Sequence, residues 1–164
     1  MENKLVQNTD GQTIVVFSND LDKAIASFII ANGAAAAGKK VTMFFTFWGI
    51  NILRKSTAVP VKKSLTERMF GFMMPKGADK LALSKMHMFG MGSLMMKQVM
   101  KSKNVPSLKE LIDMAKSNGI KIIACTMAMD VMGLKPEELI DDIEYGGVAA
   151  YIDESSRANS NLFI

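Results

Sequence analysis

Residues 13–22 read Thr-Ile-Val-Val-Phe-Ser-Asn-Asp-Leu-Asp, and this stretch decides the fold. Its β-branched run at 13–17 is typical of a strand buried in a parallel sheet. Asn19 or Asp20 can cap the helix that is expected to follow. A second apolar run at 41–47 then predicts another strand, so the chain is expected to begin with a strand–helix–strand unit.

The strand and helix signals continue to alternate along the rest of the chain. Further strands are expected at 120–125, 142–145 and 162–164, and further helices at 106–119, 136–140 and 147–157. Strands alternating with helices at this spacing predict an α/β fold, with an open, mostly parallel five-stranded sheet and helices on both faces.

Length and composition limit the classes of protein that remain. The 164 residues suffice for one domain, expected to span residues 1–164, and a chain of this size buries roughly 68–70% of its unfolded surface. One cysteine excludes a disulfide within the chain, and one histidine, His87, leaves no set of ligands for a histidine metal site. The longest uncharged run, 24–38, has 15 residues, against about 20 for a membrane-spanning helix. Since no signal-peptide pattern is present either, we expect a soluble cytoplasmic protein without a metal or a cofactor.

The charge is concentrated in one segment. Residues 54–103 carry 11 basic and two acidic residues, a net charge of +9, whereas the rest of the chain carries −5. The same segment holds nine of the 15 methionines. We interpret it as a basic, Met-rich insert and as a candidate for peripheral contact with a membrane surface or an acidic partner. Nucleic acid is disfavoured as a partner because no recognised stacking motif accompanies the charge.

The apolar pattern of the insert is unusual for a surface helix. If residues 79–101 formed one helix, apolar side chains would cover almost its whole circumference, whereas a surface helix has a single apolar stripe. We therefore expect this segment to be buried on two sides, covered by another subunit, or exposed for a partner. Gly90 and Gly92 can divide it into two pieces.

Cys125 is the strongest chemical feature of the sequence. It ends the strand expected at 120–125, and Thr126 and Met127 follow where a helix can begin. Ligand crevices form at the carboxyl edge of an open parallel sheet, and the positive end of a helix favours the nucleophilic thiolate. The alternative is that Cys125 is a buried, unreactive part of the core.

Three other loops follow predicted parallel strands, and we expect them to line the same crevice as Cys125. These loops are Ser18-Asn19-Asp20, Trp48-Gly49-Ile50-Asn51 and Tyr145-Gly146-Gly147. Trp48 would shield the thiol from water, while backbone N–H groups of the glycines would approach a bound anion.

Four motifs together resemble the DsrE/DsrF-like sulfur-relay family, in particular its longer, Met-rich subgroup. They lie at 13–24, 44–49, 124–129 and 145–149. The resemblance covers essentially the whole chain. It implies a five-stranded, largely parallel sheet, a homo-oligomer (a trimer or hexamer), and a cysteine after a central strand that carries sulfur as a persulfide. By position, that cysteine is Cys125.

Two functions of different classes remain open. In the first, the thiolate of Cys125 takes sulfane sulfur from a donor protein and passes it to a thiol of an acceptor protein. Many members of the family that this chain resembles are sulfur carriers rather than turnover enzymes. The resemblance therefore leaves open whether the protein is an enzyme. A thiol peroxidase would use the same thiolate but would need a resolving thiol from elsewhere. In the second, the chain is a non-catalytic binding or scaffold protein that docks through the insert, and Cys125 is structural.

Overall fold

The structure is a computed structural model and describes residues 10–86 and 90–164. It contains one five-stranded sheet with strands β1 (Gly11–Val16), β2 (Lys40–Phe45), β3 (Lys121–Cys125), β4 (Glu144–Gly146) and β5 (Ala158–Phe163). The helices are α1 (Leu21–Ala36), α2 (Leu65–Met73), α3 (Met91–Ser102), α4 (Leu108–Ser117), α5 (Thr126–Met132) and α6 (Val148–Ser156).

The sheet has the strand order β4-β3-β2-β1-β5, and all four pairings between these strands are parallel. This confirms the predicted α/β fold. The central strands are buried on both faces, as the continuous apolar runs predicted; Ile14 and Val16 in β1 and Met43 and Phe45 in β2 are fully buried.

Helices cover both faces of the sheet. On one face, the ring of Phe28 in α1 lies 5.9 Å from that of Phe45, and α4 packs beside α1. On the other face, the ring of Tyr151 in α6 lies 5.3 Å from that of Phe44. Because successive strand side chains point to opposite faces, the adjacent residues Phe44 and Phe45 contact different helix layers.

The expected helix at 106–119 forms because the sequence carries a strong start signal at one end and a strong stop signal at the other. Ser107 and Glu110 make a capping box, in which Glu110 N donates to Ser107 Oγ at 3.3 Å and Ser107 N donates to Glu110 Oε2 at 2.7 Å. Gly119 then adopts a φ of +68°, in the left-handed region that favours glycine. The segment at 136–140 is shorter than expected, a 3-10 turn over Pro136–Glu138.

Residues 79–101 do not form one continuous helix. A 3-10 turn at Ala78–Lys80 leads into non-helical chain at 81–86, and α3 begins only at Met91, after Gly90 with a φ of +93°. α3 therefore begins directly after Gly90, whereas Gly92 lies inside it, and His87 and Met88 lie outside the described residues. Helix α2, which also lies in the basic, Met-rich insert, was not predicted from the sequence.

The insert leaves much of its apolar surface open. Large apolar side chains that are more than half exposed lie on α2 and α3: Leu65, Met69, Phe72, Met73, Met91, Leu94, Met95 and Val99. Only Gly92, Ser93 and Met100 are buried on α3. In a single copy of the chain, the segment is thus not buried on two sides. Among the described residues, no helix combines the length and the hydropathy needed to cross a membrane.

Candidate functional site

The carboxyl ends of β1, β2, β3 and β4 lie side by side at one edge of the sheet. Val16 pairs with Phe45, Phe45 with Ala124, and Cys125 with Gly146. Every loop that the sequence singled out follows one of these strand ends, so all of them lie at this edge. The shared edge follows from the parallel topology and is the usual location of sites in open α/β sheets.

Cys125 lies at the junction of β3 and α5. It is the last residue of β3 and the N-cap residue of α5, and it is 3% exposed. Strand alternation places it on the face of Ile123, which is the face covered by α6. Its strand partner Gly146 has no side chain, and a Cβ there would lie 2.9 Å from the Cβ of Ala150 in α6. The absence of a side chain at Gly146 therefore lets α6 approach β4 closely.

Exposed side chains lie at the same edge of the sheet as this buried thiol. Thr126 is exposed, Met127 is 54% exposed, Trp48 is 48% exposed and Tyr145 is 43% exposed. Large amphipathic and apolar side chains of this kind are enriched where proteins bind one another. The edge thus combines a thiol that solvent hardly reaches with a rim that a partner can contact.

Tyr145 is held at the rim by its hydroxyl group, which donates a hydrogen bond to the carbonyl of Pro136 at 3.3 Å. Partial burial raises the pKa of Tyr145 above its ordinary value of 10.0, and the nearby Lys55 opposes this shift. The tyrosine is therefore a neutral hydrogen-bonding group at neutral pH. Gly146 and Gly147, which follow it, are partly buried.

The loop after β1 is tied to its own helix. Ser18 Oγ donates to Asp20 Oδ2 at 2.9 Å, and Lys23 Nζ lies 2.8 Å from the same oxygen. Asp20 is the N-cap residue of α1 by position, but its side chain makes no cap hydrogen bond. Its carboxylate is thus already paired with groups of this protein.

Asn19 and Asp20 line a cavity of about 460 Å³, and the other wall of this cavity belongs to the insert. Phe72, Met73 and Lys80 lie on that wall, and Cys125 does not line the cavity. The backbone N–H of Leu21 donates to the carbonyl of Ala82 at 2.7 Å, which fixes the insert against the start of α1. The structure therefore brings Asn19 to the same sheet edge as Cys125 but places it in a cavity that Cys125 does not line.

The segment after β2 crosses the end of β1 at very short range. It forms a 3-10 helix over Phe47–Leu53, and the backbone N–H of Gly49 donates to the carbonyl of Phe17 at 2.7 Å. A Cβ on Gly49 would lie 2.1 Å from the carbonyl oxygen of Val16, so only glycine fits there. This crossing fixes the position of Trp48.

Asn51 has a structural position in this segment and is fully buried. Its Nδ2 donates to the carbonyl of Trp48 at 3.1 Å, and its Oδ1 accepts a hydrogen bond from Arg54 at 3.4 Å. Its backbone carbonyl accepts from the N–H of Gly77 at 3.1 Å. Asn51 thus connects the segment after β2 to the insert rather than facing an open crevice.

A cluster of buried charges lies beside this segment and is formed by Arg54, Lys63 and Glu138. It was not predicted from the sequence. Arg54 Nη2 lies 3.6 Å from Glu138 Oε1, and Lys63 Nζ lies 2.6 Å from Glu138 Oε2. The two cations stand out in the sequence only as members of a basic run. Glu138 lies far along the chain from both, so no spacing rule could have paired them.

Metal binding finds no support in the part of the chain that the structure describes, where no three His, Cys, Asp or Glu side chains are grouped as metal ligands. What the edge can do chemically depends on Cys125. A thiolate at this position can attack a sulfur atom that a partner presents, and the reaction needs no second cysteine of the same chain.

Solved structures of low sequence identity share this fold. The ychN protein of E. coli superposes with a TM-score of 0.59 at 9% identity, covering 94% of this chain and 99% of that chain. The protein of unknown function MTH1491 from Methanobacterium thermoautotrophicum superposes with a TM-score of 0.55 at 9% identity, covering 93% and 99%. The sheet is therefore a known α/β architecture.

The chain belongs to the DsrE/DsrF/DrsH-like family, whose model matches residues 9–163. It is 38% identical over 155 residues to the sulfur carrier protein DsrE2 of Allochromatium vinosum, covering 92% of this chain and 96% of that protein. It is 56% identical over 160 residues to the uncharacterized protein YrkE of Bacillus subtilis strain 168, covering 98% and 100%. The family predicted from the four sequence motifs is thus confirmed.

Proposed function

We propose that this protein is a sulfur carrier that holds sulfane sulfur as a persulfide on Cys125 and passes it to a thiol of a partner protein. The observation that carries the proposal is the position of the only cysteine in the sequence, at the carboxyl end of a central strand, in a chain related over 92% of its length to a sulfur carrier protein. A sulfur carrier only has to hold sulfur and pass it on, so this role does not require catalytic turnover.

The chemistry is two thiol exchanges in opposite directions. The Cys125 thiolate attacks the outer sulfur of a donor persulfide, an S–S bond breaks in the donor as a new one forms on Cys125, and the donor leaves as a thiolate. An acceptor thiolate then attacks the outer sulfur of the Cys125 persulfide, which restores the Cys125 thiolate. Neither step needs an external oxidant or reductant, because one S–S bond forms as another breaks, and neither needs a metal.

The burial of Cys125 fits a carrier better than a peroxidase. A thiol that is 3% exposed meets dissolved oxidants rarely, so its persulfide is protected from water and from wasteful reactions. Rapid transfer then requires that a partner contacts the rim formed by Trp48, Met127 and Tyr145 and displaces part of it, whereas a small polysulfide in large excess can react slowly when the edge opens locally. A cytoplasmic location, where thiols stay reduced, suits this chemistry.

The direct test is intact mass spectrometry after treatment with polysulfide. The wild-type chain should gain the mass of one or more sulfur atoms, and dithiothreitol should remove it. Cys125→Ser should gain nothing, because no other cysteine is present. A reducible adduct of the same size on the serine variant, or no adduct on the folded wild type, would overturn the proposal.

A second proposal rests on a different observation, the exposed apolar surface of the insert. Leu65, Phe72 and Met73 are each more than 70% exposed, which is unusual for a surface that stays in contact with water. We propose that this surface is covered by further copies of the chain in a homo-oligomer, a trimer or hexamer, which would bury it at about 25 cal/mol per Å². Peripheral contact of the insert with a membrane surface is the competing proposal.

A further inference from the structure

The buried charge cluster beside the 3-10 helix contains more positive than negative charge. The side chains of Arg54 and Lys63 are 2% and 6% exposed, and both face the single carboxylate of Glu138, which is 12% exposed. Buried charges in proteins are normally paired, because leaving one uncompensated is costly. Glu138 cannot fully compensate both cations.

Of the two cations, Lys63 lies closer to the carboxylate of Glu138. Its Nζ lies 2.6 Å from Glu138 Oε2, and the same oxygen accepts a hydrogen bond from the backbone N–H of Lys135 at 2.9 Å. Arg54 Nη2 lies 3.6 Å from the other oxygen. Arg54 is therefore the cation whose charge is less well compensated.

The guanidinium of Arg54 makes only long hydrogen bonds with the rest of the protein. Its Nη1 lies 3.4 Å from Asn51 Oδ1 and 3.4 Å from the carbonyl of Pro75, and its Nη2 lies 3.5 Å from the carbonyl of Gly71. Charge-assisted hydrogen bonds usually measure about 2.7–2.9 Å. Burial lowers the pKa of Arg54 from its ordinary value, which the charge of Glu138 opposes. The guanidinium thus has the capacity to bind a stronger acceptor.

A small cavity of about 40 Å³ is lined in part by Arg54. Its lining residues are Arg54, Lys55, Thr57, Ala58, Val59, Lys76 and Glu138. Lys55 is paired with the exposed Asp141 at 3.0 Å, whereas the side chain of Lys76 makes no hydrogen bond or ion pair within the described ranges. The volume is about three times the ~10–15 Å³ that one water needs, which suits a compact anion and excludes a nucleotide.

We propose that this cavity binds one small tetrahedral oxyanion, of the class of phosphate, sulfate and thiosulfate. The guanidinium of Arg54 and the ammonium of Lys76 would donate to its oxygens, and Lys55 would add positive charge at the entrance. The bound anion would supply the counter-charge that Glu138 cannot provide. This inference does not depend on sulfur transfer at Cys125.

Binding would also fasten the insert to the sheet. Arg54 follows the 3-10 helix after β2, Lys76 belongs to the insert, and Glu138 ends the turn after α5. A ligand that contacts these segments in the folded state only will raise the stability of the fold. Thermal unfolding therefore reports on occupancy without any assay of sulfur transfer.

The test measures binding and stability together on the Cys125→Ser chain, in which no thiol can react. Isothermal titration calorimetry and thermal unfolding are run with sodium phosphate, sulfate and thiosulfate, against sodium chloride at the same ionic strength. The expected result is saturable binding of one oxyanion per chain and a melting temperature that rises to a plateau. The anion that binds most tightly identifies the source, a phosphate or a sulfur compound.

A matched pair of lysine variants locates the site. Lys76→Ala should weaken binding of the preferred anion roughly tenfold, the usual effect of losing one charge-assisted hydrogen bond. Lys80→Ala removes an equal charge from a nearby lysine that does not line this cavity, and it should leave the affinity unchanged. Both side chains lie at the surface, so neither change is expected to unfold the protein.

Three results would overturn the proposal. One is the absence of saturable binding for all three oxyanions. A second is a melting temperature that rises linearly with salt in every variant, which is the general effect of excluded salts on folded proteins. The third is an equal loss of affinity in Lys76→Ala and Lys80→Ala, which would indicate attraction by the net charge of the insert.

Discussion

The close crossing at Gly49 should make the substitution Gly49→Ala one of the most damaging small changes in this chain. The added Cβ would lie 2.1 Å from the carbonyl oxygen and 2.8 Å from the carbonyl carbon of Val16. Cβ atoms in folded proteins essentially never approach other atoms within 3.0 Å. Both neighbours are backbone atoms of a central strand, so the crossing segment itself has to move by roughly 1 Å.

That movement disturbs two hydrogen bonds in addition to the packing. The N–H of Gly49 donates to the carbonyl of Phe17 at 2.7 Å, and the N–H of Thr46 donates to the carbonyl of Val16 at 3.1 Å. Overpacking costs about 1–3 kcal/mol and each weakened hydrogen bond about 1 kcal/mol, so the free energy of unfolding should fall by about 3–5 kcal/mol. For a chain of this size, the melting temperature should fall by roughly 6–20 °C.

Gly33→Ala is the matched control, because the same atom is added where space is open. Gly33 is an exposed residue inside α1, and a Cβ there would meet nothing within 4 Å. Alanine is the better helix former, so this variant should gain about 0.5–1 kcal/mol.

The two substitutions should thus have opposite signs in thermal unfolding followed by far-ultraviolet circular dichroism at one fixed chain concentration. If Gly49→Ala melts within 2 °C of the wild type, the segment does not cross β1 at this distance, and the position of Trp48 at the edge loses its basis.

Two further predictions concern the surface. The hydrogen bond from Lys121 lowers the pKa of Glu154 below its ordinary value of 4.5, so Glu154 contributes stability above pH 4.5 that is lost as the pH falls through its folded pKa. Glu154→Gln should therefore lose stability at pH 7 but little at pH 3, and an equal loss at both pH values in urea titrations would contradict the ion pair. Met91→Lys and Met95→Lys together should lower the molar mass in light scattering if copies of the chain cover the insert, whereas Ser117→Lys on α4 should not. An unchanged mass would refute the oligomer proposal.

The fold was predictable because its signals are local. The β-branched run at 13–17 and the capping pair Ser107 and Glu110 act within a few residues, and each specifies an element without help from distant parts of the chain. The carboxyl-edge position of the predicted loops then followed from parallel pairing alone. Strand ends were less accurate; β2 stops at Phe45 rather than residue 47, because Phe47 turns to a φ of +44° to begin the 3-10 helix.

The insert was not predictable in the same way, because its structure depends on distant contacts. Chain at 81–86 is apolar enough for a helix, yet it is held in a non-helical form as Leu81 and Leu83 enter the core and Ala82 accepts a hydrogen bond from Leu21. Periodicity assumes that a segment has one buried face, and this segment instead buries alternate residues. Helical periodicity therefore does not describe this stretch, in which Leu81 and Leu83 are buried and Met86 is exposed.

The same long-range contacts change how the sheet edge must be understood. Asn19 and Asp20 are at the edge of Cys125, but they line a cavity whose other wall, in the insert, includes Phe72 and Met73, while Met127 and Tyr145 remain exposed at the end of the sheet where Cys125 lies. A partner that approaches Cys125 would thus meet the rim built by α5 and β4, and a partner that approaches the loop after β1 would meet the insert first. If sulfur transfer occurs at Cys125, substitutions at Met127 should alter transfer rates more than substitutions at Asn19, even though both residues follow parallel strands.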